Sequence, residues 1–121
     1  MVRPKIIPPM KIAVASEKSS LRSSVAPRFG RAPFYHIYDT ESYSVSKYGS
    51  GRRENMPPHA GVDAARTLLS AKIDAVIAGD FGQHVATLFR ENHVEVAKAP
   101  LRAGSWALDE FLRGRLVGNQ N

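Results

Sequence analysis

Cysteine is absent from all 121 residues, which excludes disulfides, thiolate zinc sites and Cys-ligated iron–sulfur clusters. Any metal must be held by histidine, carboxylate or backbone, or must arrive carrying its own ligands. Long apolar runs are missing as well; none approaches the roughly 20 residues that span a bilayer. The opening Met1-Val2-Arg3-Pro4-Lys5-Ile6-Ile7-Pro8-Pro9 has three prolines and no apolar signal region. No secretory leader or membrane partner is therefore expected, and the expected location is the cytoplasm. Basic runs are short, Arg52-Arg53 being the longest, which argues against a dedicated nucleic-acid arm. There is no internal repeat and no low-complexity segment.

What is present fits one soluble domain. A hydrophobic content of 43% with 23% charged residues is ordinary for a globular chain, and the length suffices to close a single core. Residues 1–9 read as a flexible arm, 10–117 as the domain and 118–121 as a frayed tail. The net charge of +6 and pI near 10.0 fit either a solvated basic surface or an anionic partner; charge alone leaves both open.

Along the chain, Lys11–Ser16 is short, apolar and partly β-branched, and reads as a strand. A Ser-rich loop from Glu17 to Ser24 leads to a turn between Pro27 and Pro33. Phe34–Asp39 and Tyr43–Tyr48 are expected as strands two and three, joined by a hairpin-length connection. Residues 49–58 form a polar loop rich in Gly and Pro. His59 opens a helical pattern with Val62, Ala65, Leu68 and Leu69 on one face. Asp74–Gly79, nearly all apolar, has the character of a central strand covered on both faces. A second helix carries Val85, Leu88 and Phe89. Val94–Ala97 is a fifth strand, and a third helix is expected from an N-cap at Ser105, burying Leu108, Phe111, Leu112 and Leu116.

The order β-β-β-α-β-α-β-α predicts one five-stranded mixed sheet with helices packed on its faces. If the first strand runs up, strands three to five also run up, so the loops after strands one, three, four and five gather on one edge. Ligands of open α/β sheets usually bind at that edge.

Three features converge there. Arg28 and Arg31 flank Phe29-Gly30, with Pro27 and Pro33 stiffening the turn; guanidinium groups suit anionic oxygens or sulfides, and glycine permits close backbone approach. His59 lies at a helix start, where imidazolium is disfavoured and a neutral, metal-ligating ring is favoured. His84, in the first turn of the second helix, is the second candidate on the same ground. His36, mid-strand, reads as a packed residue and His93 as a helix cap. Lastly, Gly79-Asp80-Phe81-Gly82 joins a buried strand to a helix whose N–H groups can receive an anion. It is neither a P-loop nor a G-x-G-x-x-G fingerprint.

In their order and spacing these segments resemble the dinitrogenase iron–molybdenum cofactor biosynthesis family, the NifX-like proteins and the related C-terminal domain of NifB. The matching pieces are Met10–Ser16, Arg28–Phe34, His59–Leu69, Asp74–Gly79, Val96–Pro100 and the closing helix, together covering roughly residues 10 to 116. The resemblance implies a ribonuclease-H-like, three-layer α/β fold with sheet order 3-2-1-4-5, in agreement with the strand directions above. It also implies a non-catalytic carrier that binds the iron–molybdenum cofactor, a precursor or another anionic metal–sulfur cluster. Nitrogenase or molybdenum-cofactor assembly proteins would be its partners. The candidate binding residues are then Ser16, Arg28, Phe29, Gly30, Arg31, His59, Gly79 and Gly82, with His59 as the metal ligand. Asp80 departs from what an anion would prefer, unless its carboxylate caps the following helix.

Other classes fit less well. Two-metal phosphoryl chemistry needs clustered carboxylates, and the first strand offers no acid before Glu17, which disfavours a metal-dependent nuclease. A nucleotide- or nucleic-acid-binding regulatory module is compatible with the charge, but no aromatic-studded RNA motif or basic recognition helix is present.

Overall fold

A computed structural model describes residues 8–49 and 59–116. The elements are β1 (Lys11–Ser16), a 3-10 turn (Phe29–Arg31), β2 (Phe34–Asp39), β3 (Val45–Gly49), α1 (Ala60–Ser70), β4 (Ala75–Ala78), α2 (Gln83–Glu91), β5 (Glu95–Lys98) and α3 (Gly104–Leu112). The five strands form one sheet in the order β3-β2-β1-β4-β5. β1 is antiparallel to β2, β2 to β3, and β1, β4 and β5 are mutually parallel. The mixed sheet and its strand directions are those the sequence pattern predicts. The loop 50–58, most of the arm 1–9 and the tail 118–121 lie outside the described residues.

Alternation along the strands sorts the core into two layers. Ala13, Ala15, Val76, Ala78 and Val96 face α1 and α2, where Ala64, Ala65, Leu68, Val85 and Phe89 meet them. Ile12, Val14, Ala75, Ile77 and Ala97 face the opposite way, toward Ala107 and Leu108 of α3. Every residue of β4 is fully buried, as expected of a strand covered on both faces. Alanines at positions 13, 15 and 78 line the α1/α2 side, which also holds the large rings of Phe29, Tyr35 and Phe89.

Two element boundaries differ from expectation for reasons visible in the hydrogen bonds. Strand three begins at Val45 rather than Tyr43. The Asp39 carboxylate accepts the N–H groups of Glu41 at 2.8 Å and Ser42 at 3.3 Å, and Tyr43 sits at φ 62°, so a side-chain-stabilised turn occupies its place. Ser105 is not the cap of α3. The helix starts at Gly104, and the N–H groups of Gly104 and Ser105 donate to the carbonyls of Ser23 and Leu21 at 2.8 and 2.9 Å. Loop backbone therefore does what a capping side chain would do. A Cβ on Gly104 would lie 2.9 Å from the Leu21 carbonyl oxygen, so the loop packs directly on the helix start.

Of the other histidines, His36 is buried, with Nδ1 2.9 Å from Ser16 Oγ and Nε2 2.9 Å from the Ser19 carbonyl. It is a packed residue that anchors the Ser-rich loop. His93 stands one residue beyond the helix C-cap Asn92, at φ 62°. It follows the cap rather than forming it.

The 3-10 turn is fixed from below and from the side. Phe29 is buried and packs against Tyr35, Phe81 and Phe89 at centroid distances of 5.0, 5.6 and 5.3 Å. The Tyr35 hydroxyl donates to the Phe29 carbonyl at 2.6 Å. To the side, a Cβ on Gly30 would stand 2.9 Å from Gly61 Cα, so the turn and the start of α1 touch backbone to backbone.

Two expectations follow from this support. Gly30→Ala should destabilise the domain by about 1–3 kcal/mol, because backbone rather than a movable side chain opposes the new methyl group; urea titration measures the loss. Burial, and secondarily Tyr48, hold the Tyr35 phenol far above its ordinary 10.0. The folded chain keeps this proton where the unfolded chain releases it, so the contribution is complete below pH 10 and is lost as the pH rises beyond it. Tyr35→Phe should cost roughly 1–2 kcal/mol at neutral pH, and the gap from wild type should narrow between pH 10 and 11.

Candidate functional site

The 3-10 turn, the junction after β4 and the N-terminal ends of α1 and α2 meet at an open cleft of about 290 Å3. One wall is the 3-10 turn with Arg28, Phe29, Gly30 and Arg31. The second is the start of α1, with Ala60 and Gly61. The third is the β4–α2 junction, with Asp80, Phe81, Gly82 and Val85. Phe29 forms the floor and Phe81 stacks on it at 5.6 Å, with 20° between the ring planes.

Main-chain bonds set the position of the arginine turn. The Gly79 N–H donates to the Ala26 carbonyl and the Phe29 N–H to the Asp80 carbonyl, each at 2.9 Å. Both helices start at the cleft: the first i→i−4 bonds are Asp63 N–H to the His59 carbonyl and Ala86 N–H to the Gly82 carbonyl. The amides ahead of these are the ones an α-helix leaves without an intrahelical acceptor, at the positive end of its dipole. Two such ends and two guanidinium groups, of Arg28 and Arg31, make the cleft suited to an anion.

Asp80 is neither a helix cap nor an isolated charge. Gly82 holds the N-cap position of α2. The Asp80 Oδ1 accepts the Phe81 N–H at 2.9 Å and pairs with Lys98 Nζ at 3.1 Å. The hydrogen bond from Lys98, then that from Phe81, hold its carboxyl below the usual aspartate range.

His59 is the N-cap residue of α1, exposed and adjacent to the lining residue Ala60. Its Nδ1 lies 2.9 Å from Asp63 Oδ2, one helical turn on. With a carboxylate as its partner Nδ1 is the donor, which in a neutral ring leaves the lone pair on Nε2, as in the carboxylate–histidine pairs that orient metal ligands.

The sequence-derived set divides on this geometry. Arg28, Phe29, Gly30, Arg31 and Gly82 line the cleft; His59 is not part of the lining but directly precedes the lining residue Ala60. Ser16 does not reach it. Alternation puts Ser16 on the same side of β1 as Ile12 and Val14, facing α3, where it is buried and bonded to His36. Gly79 has a packing role: a Cβ there would lie 2.7 Å from the Pro27 carbonyl oxygen. His84 is exposed on the first turn of α2 and is not part of the lining. Among the described residues no group of three or more His, Asp or Glu is arranged to hold a metal ion, and no helix is long and apolar enough to cross a membrane.

Asp63 and Lys98 are the functional neighbours that motif reading missed. The i, i+4 spacing of His59 and Asp63 could have revealed the first. The second follows from the β4–β5 pairing, which brings the end of β5 beside the Asp80 junction.

No curated protein matches the chain. Among solved structures, the apo form of the orange protein from Desulfovibrio gigas superposes with a TM-score of 0.79 at 24% identity, covering 92% of this chain and 97% of that one. A Thermotoga structure provisionally named a NifB protein gives 0.73 at 27% identity, covering 88% and 90%. A Methanocaldococcus jannaschii protein provisionally named a dinitrogenase gives 0.70 at 15% identity, covering 95% and 99%. A family model described as dinitrogenase iron-molybdenum cofactor matches residues 10–114. With nearly the whole described domain inside that match, the chain belongs to the dinitrogenase iron–molybdenum cofactor family.

Proposed function

We propose that the protein is a non-catalytic carrier of an anionic metal–sulfur cluster, the iron–molybdenum cofactor or a precursor of it, and acts in cofactor assembly or delivery. The observation that carries this reading is the cleft itself. Arg28, Arg31 and the starts of two helices offer positive potential, and the His59 imidazole, bonded to Asp63, directly precedes the lining residue Ala60. The chain has no cysteine, so the cargo must supply its own sulfur. Charge then holds the cluster and His59 Nε2 supplies one bond to a metal atom. Asp63 fixes the ring through Nδ1, and Phe29 and Phe81 give the cleft an apolar base. In this role the partners are nitrogenase or molybdenum-cofactor assembly proteins, which would load or receive the cluster at the open side of the cleft.

Two anaerobic titrations test the reading, one with isolated iron–molybdenum cofactor and one with tetrathiomolybdate, a coordinatively saturated molybdenum–sulfur dianion. The wild-type protein should bind both in stoichiometric amounts; failure to bind either one removes the carrier role. His59→Ala should weaken cofactor binding by about tenfold or more, equivalent to about 1.4 kcal/mol, and leave tetrathiomolybdate affinity and thermal stability nearly unchanged. Equal affinity of this variant for the cofactor would remove His59 from the site. Replacing Arg28 and Arg31 together with Gln should weaken tetrathiomolybdate binding by roughly tenfold at low ionic strength, and by much less near 0.5 M salt, where exposed charges are screened. A defect independent of salt would mean that the turn had been disrupted.

A further inference from the structure

Among the described residues, Asp80 is the one carboxylate in the cleft lining, set between the arginine turn and the start of α2. Its main-chain carbonyl has a structural task, accepting the Phe29 N–H at 2.9 Å. Its side chain is exposed and is not needed to cap α2, since Gly82 occupies that position. Lys98, at the end of β5, is outside the lining, and its ammonium reaches Asp80 Oδ1 at 3.1 Å.

We propose that Asp80 sets the affinity of the cleft for anions and that Lys98 acts through Asp80, screening its carboxylate rather than gripping the ligand. This rests on the reading that the cleft receives an anion. Among the described lining residues Arg28 and Arg31 bring positive charge and Asp80 negative charge, which the Lys98 bridge offsets. An anion that drew Lys98 away would meet a carboxylate left with the Phe81 N–H bond and the charge of Arg28. Lys98 therefore serves binding best where it is. The device limits affinity without removing a positive group, which suits a ligand that must leave again.

The assignment predicts a non-additive cycle. Binding of tetrathiomolybdate is measured by absorbance, and of sulfate by the NMR shifts of the Gly30, Gly61 and Gly82 amides, at low ionic strength. The variants are Asp80→Asn, Lys98→Gln and the pair together. Asp80→Asn keeps an oxygen acceptor for the Phe81 N–H and should tighten both dianions by about tenfold, as expected for one charge removed at close range in a partly solvated site. Lys98→Gln alone should weaken binding about threefold or more, yet change it by less than about twofold in the Asp80→Asn background. An unchanged or weaker Asp80→Asn variant overturns the proposal, as does an equal Lys98→Gln penalty in both backgrounds. Asp80→Ser carries the same expectation should the Asn variant be unstable. If no variant binds tetrathiomolybdate while sulfate shows the full pattern, the carrier reading fails and the Asp80 assignment stands. If neither anion binds any variant, both fail.

Discussion

The chain leaving β1 is fastened to the sheet and to the β4–α2 junction by three main-chain hydrogen bonds, and the geometry of the cleft depends on them. Ala26 donates to the Ala15 carbonyl at 2.8 Å, and Gly79 and Phe29 donate to the Ala26 and Asp80 carbonyls at 2.9 Å. Backbone groups of residues 26, 29 and 79 do this fastening. The Phe29 ring completes the anchor from below, wedged among Tyr35, Phe81 and Phe89. A turn held in this way presents charge from a rigid base, and support of that kind keeps a binding group near its working geometry.

Close packing then makes the wall continuous. Gly30 lies against Gly61, and a Cβ on Gly61 would sit 3.1 Å from Val85 Cγ2. The turn, α1 and α2 thus meet at one point with no side chain between the first two. This contact brings both helix starts to the same cleft. Each end contributes partial positive charge through the amides of its first turn, and the arginines add full charges. The one acid among the described lining residues is tied to Lys98 and to the Phe81 amide, so its repulsion is muted but retained.

Much of this was legible in the sequence because the signals were periodic. The apolar run at 75–78 marked a strand buried on both faces, and the mixed sheet and its strand directions followed from handedness and short connections. The edge carrying the arginine turn, the start of α1 and the β4–α2 junction followed from strand direction alone. Side-chain direction was harder to read. Ser16 ends a strand at the edge that carries the cleft, but its even-numbered position turns it toward α3 with Ile12 and Val14. Gly79 looked like ligand-approach glycine, but the backbone it admits is that of Pro27. The cap of α3 was misplaced for a related reason: carbonyls of Leu21 and Ser23, more than 80 residues away in the chain, fill the role assigned to the Ser105 side chain. Tertiary partners of this kind leave no local trace.

The chemistry left at the cleft points toward exchange rather than storage. Structural metal and cluster sites are usually closed by several thiolate or imidazole ligands, and such sites contribute to folding outright. Here the core closes on its own aromatic and aliphatic contacts, and the chain has no thiolate to offer. In the proposed role the protein would fold without its cargo and hold it by charge and one imidazole bond. Exposed charges act at a distance and weaken with salt, so they favour capture more than permanent retention. An acid kept beside two arginines fits that balance. It lowers the affinity the arginines would otherwise give, and its partner Lys98 decides by how much.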